Sequence, residues 1–411
     1  MAVKKVFAVL LALLMLALSS FTTASAEEEP YTIHVEDESY YQKFQGQGLE
    51  INVYNWGEYM ANDSFNFVDV NQEFEKLTGI KVNYTLFASN EELYAKMSSG
   101  GTTYDVIIPS DYMIGRMIKD GMLQKLDFDN IPNYKYIDQE YRNKNYDPEN
   151  EYSVPYFWGV VGIIYNKTMI DASEITGWDI FWDEKYADNM LMFANSRDAF
   201  AISLLDLGYS FNTTDEGELR EAAAHLSEQK PLVQAYVMDE IYDKMEGGEA
   251  AFAPYYNGDA VLMMSECEDL AFYIPENTSI FVDAFCIPEE AKNKEAAEMY
   301  INFMCEPEVG AANSIFVGYS TPMTAAWELL DEDTHNNEAA YPDPELLEKL
   351  DSFATLPRET NGLVDQLWTE IIASDVGSGG WLLILLLVLL IGSSVVINAV
   401  RKSHKHKRMM D

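Results

Sequence analysis

The stretch INVYNWGEYMANDSFNFVDVNQEFEKLTGIKVNYTLF, residues 51–87, reads as strand, helix, strand. Residues 51–54 read as a buried strand. Phe65, Val68, Phe74 and Leu77 give a rough helical stripe, and Gly79 stands where a left-handed residue would end a helix. Residues 80–85 then alternate as a strand does. Working outward, 91–97 reads as a helix and 104–109 as another strand. This rhythm implies parallel strands with helices on the sheet faces, an α/β fold.

The second half repeats the rhythm less cleanly. Strands are expected at 160–165, 190–193, 262–264 and 281–287. Helices are expected at 217–229, 236–247, 295–305 and 362–372. Residues 27–48 read as a polar spacer, with regular structure starting at Ile51.

The two ends carry different signals. Lys4 and Lys5 precede an apolar run of about a dozen residues, followed by the small-residue site Ala24-Ser25-Ala26. That is the pattern of a secretory signal peptide over 1–26. Residues 374–380 read as a short Gly-rich linker. Residues 381–400 carry no charge and are long enough to cross a bilayer as one helix. Arg401, Lys402, Lys405, Lys407 and Arg408 follow directly. The positive-inside rule keeps that tail, 401–411, cytoplasmic and places the bulk of the chain outside the cell membrane.

The formal net charge is −41. Such a surface repels nucleic acid and attracts cations. Cys267, Cys286 and Cys305 form neither a CxxC pair nor a disulfide framework, so the fold must rest on its core. The histidines lack ligand-like spacing, so no metal site is expected. No GxSxG, phosphate-binding loop or metal constellation points to an enzyme, and no cofactor is implied.

Several short motifs belong together. They are Tyr54-Asn55-Trp56-Gly57-Glu58-Tyr59, Ser89-Asn90-Glu91 with Tyr94-Ala95-Lys96, and Tyr104-Asp105-Val106 through Pro109-Ser110. Pro155-Tyr156 with Trp158-Gly159, and Gly318-Tyr319 with Thr321-Pro322, complete the set. In this order they resemble the spermidine/putrescine-binding proteins of bacterial ABC transporters. The resemblance implies a type II periplasmic-binding-protein fold of two α/β lobes with crossing strands. Lobe one would be 49–158 with 282–330, and lobe two 159–281 with 331–373. It also implies a polyamine ligand in the cleft, a permease partner with a cytoplasmic ATPase, and no catalysis.

A polyamine needs anions for its ammonium groups and an apolar wall for its methylenes; aromatic faces serve both. Matched to the family, the candidates are Trp56, Glu58 and Tyr59, then Ser110, Asp111 and Tyr112. Asp198, Tyr256, Asp259, Phe281, Asp283 and Tyr319 complete them. Asn195 stands where spermidine-preferring members have Asp, and Phe281 and Tyr256 replace Trp. These departures, together with Asp259, imply a leaning toward putrescine. For individual residues a structural role stays open: Trp56 and Tyr59 as core aromatics, Asp259 as a helix cap, Glu58 and Asp111 as loop acids. The rival functions are another small solute in the same fold, such as thiamine, ferric ion or a sugar, and a carboxylate-dependent glycosidase.

Overall fold

A computed structural model describes residues 31–101 and 103–374. The expected signal peptide, residues 27–30 of the spacer, the linker from 375, the 381–400 helix and the basic tail lie outside the described residues. Among the described residues, no helix is long and apolar enough to cross a membrane.

The opening strand β1, Glu50–Trp56, buries Ile51, Val53 and Asn55 at alternate positions. The helix Val70–Thr78 begins where the Asp69 carboxylate accepts a hydrogen bond from the Gln72 amide at 2.8 Å. It buries Val70, Phe74 and Thr78, four residues apart on one face. Gly79 ends it at φ 71°, a left-handed conformation that glycine adopts without strain. β2, Lys81–Phe87, and β3, Val106–Ile107, lie parallel to β1 on either side.

The centre of the molecule is β4, Ser153–Asn166, buried along its whole length. Its first half pairs antiparallel with β9, Ser279–Cys286, from Ser153 to Val160. Its second half pairs with β7, Phe252–Tyr256, from Val161 to Tyr165, and also with β8, Leu270–Tyr273. β5, Met190–Phe193, and β6, Val233–Val237, complete the far side in parallel. The short β10, Asp351–Ser352, returns to pair with the start of β9. The strand order is therefore β2-β1-β3-β9-β4-β7-β5-β6.

Two large apolar cores flank the midpoint of β4. One includes Ile51, Phe74, Phe157, Trp158, Phe285 and Tyr300. The other includes Val161, Ile163, Phe181, Phe193, Phe252 and Leu367. The strand changes core between Trp158 and Val161, at Gly159. A Cβ on Gly159 would lie 2.3 Å from Asn257 Oδ1 and 2.8 Å from the Phe281 ring, so only glycine fits there.

Three local expectations need correction. Residues 31–48 are not a free spacer. Tyr41 is 1% exposed, and its hydroxyl donates to Glu306 Oε1 at 2.6 Å, tying this segment to the first core. Residues 236–247 are not one helix: β6 ends at Val237 and a helix runs over Ile241–Glu246. Leu262 to Met264 belong to the helix Asn257–Glu266, because a three-residue apolar run does not distinguish a strand from a helix.

Gly159→Ala is expected to destabilise the fold by about 1–3 kcal/mol, the cost of overpacking a close-packed site. Denaturant unfolding measures it, and an unchanged midpoint would contradict the close approach.

Candidate functional site

The ends of these strands and the loops beyond them form a cavity. It takes residues from both sides of the β4 crossing. Trp56 closes β1, its indole N–H donating to the Ile108 carbonyl at 2.8 Å and its ring 4.5 Å from Phe87. Gly57 follows. A Cβ there would fall 2.4 Å from Asp239 Oδ2, so glycine lets this turn meet the opposite side of the cleft. Ser110 is pinned by Asn90, whose amide oxygen accepts from the Ser110 N–H at 3.1 Å and whose amide nitrogen donates to Ser110 Oγ at 3.0 Å.

Four carboxylates line this space, Asp198, Asp239, Asp259 and Asp283, and all but Asp239 meet tyrosine hydroxyls. Asp283, on β9, accepts from the Tyr59 hydroxyl on Oδ2 at 2.5 Å. Asp198, in the first turn of the helix Ser196–Asp206, accepts from the Tyr256 hydroxyl at 2.7 Å. Its backbone N–H is held by the capping side chain of Asn195 at 2.9 Å. Asp259, in the helix Asn257–Glu266, accepts from the Tyr242 hydroxyl at 2.7 Å and also from Tyr319. Tyr59 packs edge-on to Tyr156, Phe157 and Tyr319, with ring centroids 4.9 to 5.7 Å away. Tyr256 meets Phe281 at 5.4 Å, and Tyr112 meets Phe353 at 5.6 Å. The walls are therefore aromatic and the polar points few.

Burial dominates the electrostatics. It pushes the Asp283 and Asp259 carboxyls up to about 6 each, although the hydroxyls beside them oppose the shift. Burial likewise raises Asp198, against the hydrogen bonds from Tyr256 and Asn195. Burial also raises Tyr59, Tyr256 and Tyr319 well above the usual phenol range, so they remain neutral donors. Among the described residues, no Lys or Arg lines the cavity. Among the described residues no hydrogen bond of good geometry reaches the buried Asp283 Oδ1, and only the Ser110 hydroxyl opposite it adds to Tyr59 in holding the Asp283 charge. An anion so placed is costly until a cation or donor reaches it.

Trp56, Tyr59, Ser110, Tyr112, Asp198, Tyr256, Asp259, Phe281, Asp283 and Tyr319 all line this cavity. Glu58 and Asp111 do not. Glu58 sits on a turn at φ 44° and faces a neighbouring groove with Asp243 and Glu246. Asp111 is 1% exposed at the first position of the helix Asp111–Lys119, where burial raises its carboxyl to about 8. Sequence reasoning did not single out Asn90, Met238, Asp239, Tyr255 or Phe353. Asn90 could have been found, because it lies inside the Ser89-Asn90-Glu91 motif. Phe353 sits next to β10 in a segment with no periodic pattern, and nothing in the sequence marks it.

The buried carboxyl has a signed consequence for stability. The folded pKa of the Asp283 carboxyl, about 6, lies above its ordinary value of 3.8, so the penalty is absent in acid, grows between the two values and is complete above pH 6. The full penalty is roughly 3 kcal/mol. The Tm of Asp283→Asn relative to the parent chain should therefore rise steadily between pH 4 and pH 7. A difference that does not change with pH would contradict the buried charge.

Residues 70–342 match the family described as bacterial extracellular solute-binding protein. The chain is 37% identical over 298 residues to the spermidine/putrescine-binding periplasmic protein of Salmonella typhimurium, covering 72% of this chain and 84% of that one. It is 31% identical over 340 residues to the putrescine-binding periplasmic protein SpuD of Pseudomonas aeruginosa, covering 78% and 91%. The solved substrate-binding protein PotD of a Streptococcus pneumoniae spermidine/putrescine ABC transporter superposes with a TM-score of 0.66. It shares 35% identity and covers 79% of this chain and 98% of its own. The α/β arrangement is thus a periplasmic-binding-protein fold, and the chain belongs to the bacterial extracellular solute-binding protein family.

Proposed function

We propose that this chain is the substrate-binding subunit of an ABC importer for polyamines, capturing putrescine or spermidine in the tyrosine-lined cavity. One observation carries the reading: among the described residues, four carboxylates, Asp198, Asp239, Asp259 and Asp283, line one cavity with no lining cation, and the buried Asp283 Oδ1 receives no hydrogen bond of good geometry. The buried Arg197 offsets Asp198, but a neutral solute would leave Asp239, Asp259 and Asp283 without a cation, whereas an alkyl diammonium ion pairs with them and lays its methylenes on the aromatic rings. The names of the relatives point the same way.

The division of labour follows from the elements. Tyr59 and Asp283 belong to the lobe built on the first core, and Asp198, Tyr256 and Asp259 to the lobe built on the second. A ligand bridging both sets would hold the lobes closed about β4 and β9. We assign the lobes to 49–158 with 282–330 and 159–281 with 331–373. The closed form would be read by a permease with a cytoplasmic ATPase. Residues 381–400 would anchor the chain as a single-pass helix after export by the 1–26 signal, with 401–411 inside the cell. Such a tether keeps the receptor at high effective concentration near the permease. Asn195 caps a helix and brings no charge to the cavity, which favours putrescine over spermidine.

Isothermal titration of the full chain in detergent tests the ligand. Putrescine should bind and 1,4-butanediol should not; equal binding of the two, or none of either, would overturn the reading. Spermidine binding tenfold tighter than putrescine would overturn the preference alone. Because the cation needs ionised Asp283 and Asp259, affinity should fall roughly tenfold or more from pH 7.5 to pH 5, with proton release on binding near pH 6. Deleting residues 381–400 should move the protein from the membrane fraction to the soluble one. Continued membrane retention would remove the anchor.

A further inference from the structure

A second, more open pocket lies against β4 and shares no lining residue with the main cavity. Phe157 packs against Tyr59 and Tyr319 of the main cavity; Trp158, the next residue along the strand, lines this second pocket. The Trp158 ring stacks on Tyr141 at 5.6 Å and meets Tyr341 edge-on at 6.0 Å. Trp327, 41% exposed, also lines the pocket, with one ring face covered by His335 at 4.0 Å.

Three carboxylates, Asp138, Glu140 and Glu328, share the lining with these rings, and among the described residues no Lys or Arg does. None of the three forms an ion pair among the described residues. Lys144 lies 5.8 Å from the Tyr141 ring centroid without lining the pocket. Tyr141 is 9% exposed, and its hydroxyl has no hydrogen-bond partner among the described residues. Burial, and then Glu140 and Asp138, raise that phenol, so it stays protonated.

We propose that this pocket is a second binding site, for a small organic ammonium ion. Aromatic faces attract a soft cation, and the exposed carboxylates of Glu140 and Glu328 supply the counter-charge, Asp138 being held by the Glu140 N–H at 2.9 Å. The pocket is distinct from the polyamine cavity and does not depend on what that cavity binds. Its occupant would rest on the crossing strand and on the segment Thr321 to Met323. That segment continues directly from Tyr319, which reaches Asp259 in the main cavity, and the Trp158 N–H donates to the Ser320 carbonyl at 3.1 Å.

The test is fluorine NMR of the full chain in nonionic detergent, carrying 5-fluorotryptophan and titrated with tetramethylammonium chloride against matched sodium chloride. The Trp327 resonance, assigned by Trp327→Phe, should shift saturably with tetramethylammonium only. Glu140→Gln with Glu328→Gln, both at exposed positions, should weaken that binding at least fivefold. Asp283→Asn should leave it unchanged. A shift that follows ionic strength alone, full binding by the Glu140/Glu328 double variant, or loss of the signal in Asp283→Asn would each overturn the proposal.

Discussion

The pairing of buried carboxylates with tyrosine hydroxyls is the interaction on which the site depends. A carboxylate taken out of water costs several kcal/mol unless donors or cations replace the lost hydration. Tyr59 on Asp283, Tyr256 on Asp198, and Tyr242 with Tyr319 on Asp259 supply one or two donors each. A phenol can do this without bringing a charge of its own. Lys or Arg in the same places would neutralise the site and leave nothing for a cationic ligand to pair with. The donors are too few to satisfy every oxygen, and among the described residues Asp283 Oδ1 receives no hydrogen bond of good geometry. The unliganded chain therefore carries part of the cost that a ligand would relieve.

The rest of the architecture positions these pairs. β9 carries Phe281 and Asp283 along one edge of β4, and β7 brings Tyr255 and Tyr256 to the other half of the same strand. The site is thus assembled across a strand that two cores share. Close approaches at glycine hold its geometry. A Cβ on Gly258 would overlap the Tyr319 ring at 2.1 Å, and one on Gly57 would strike Asp239. Small residues at these points allow aromatic and acidic side chains from opposite sides to meet within hydrogen-bonding reach.

Much of this was legible in the amino-acid sequence, for identifiable reasons. The first strands and helices carry their own punctuation, such as Asp69 and Gly79 around the helix Val70–Thr78. Asp283 showed itself as an acid inside an apolar strand, where only a fixed partner makes burial tolerable. Glu58 and Asp111 misled because they sit beside lining residues. Adjacent residues turn different ways, so neighbourhood in sequence does not carry a side chain into a cavity. Leu262 to Met264 misled because short apolar runs carry no period. Phe353 and Asp239 are joined to the site only by tertiary folding, and single-sequence patterns hold no trace of that.

The structure of the chain crystallised with putrescine is the most direct test of the account. It should place one ammonium nitrogen about 3 Å from Asp283 Oδ1 and the other against Asp198 or Asp259, with the methylenes along Tyr256 and Phe281. Ammonium groups lying away from all three carboxylates, or an empty cavity at saturating putrescine, would contradict it.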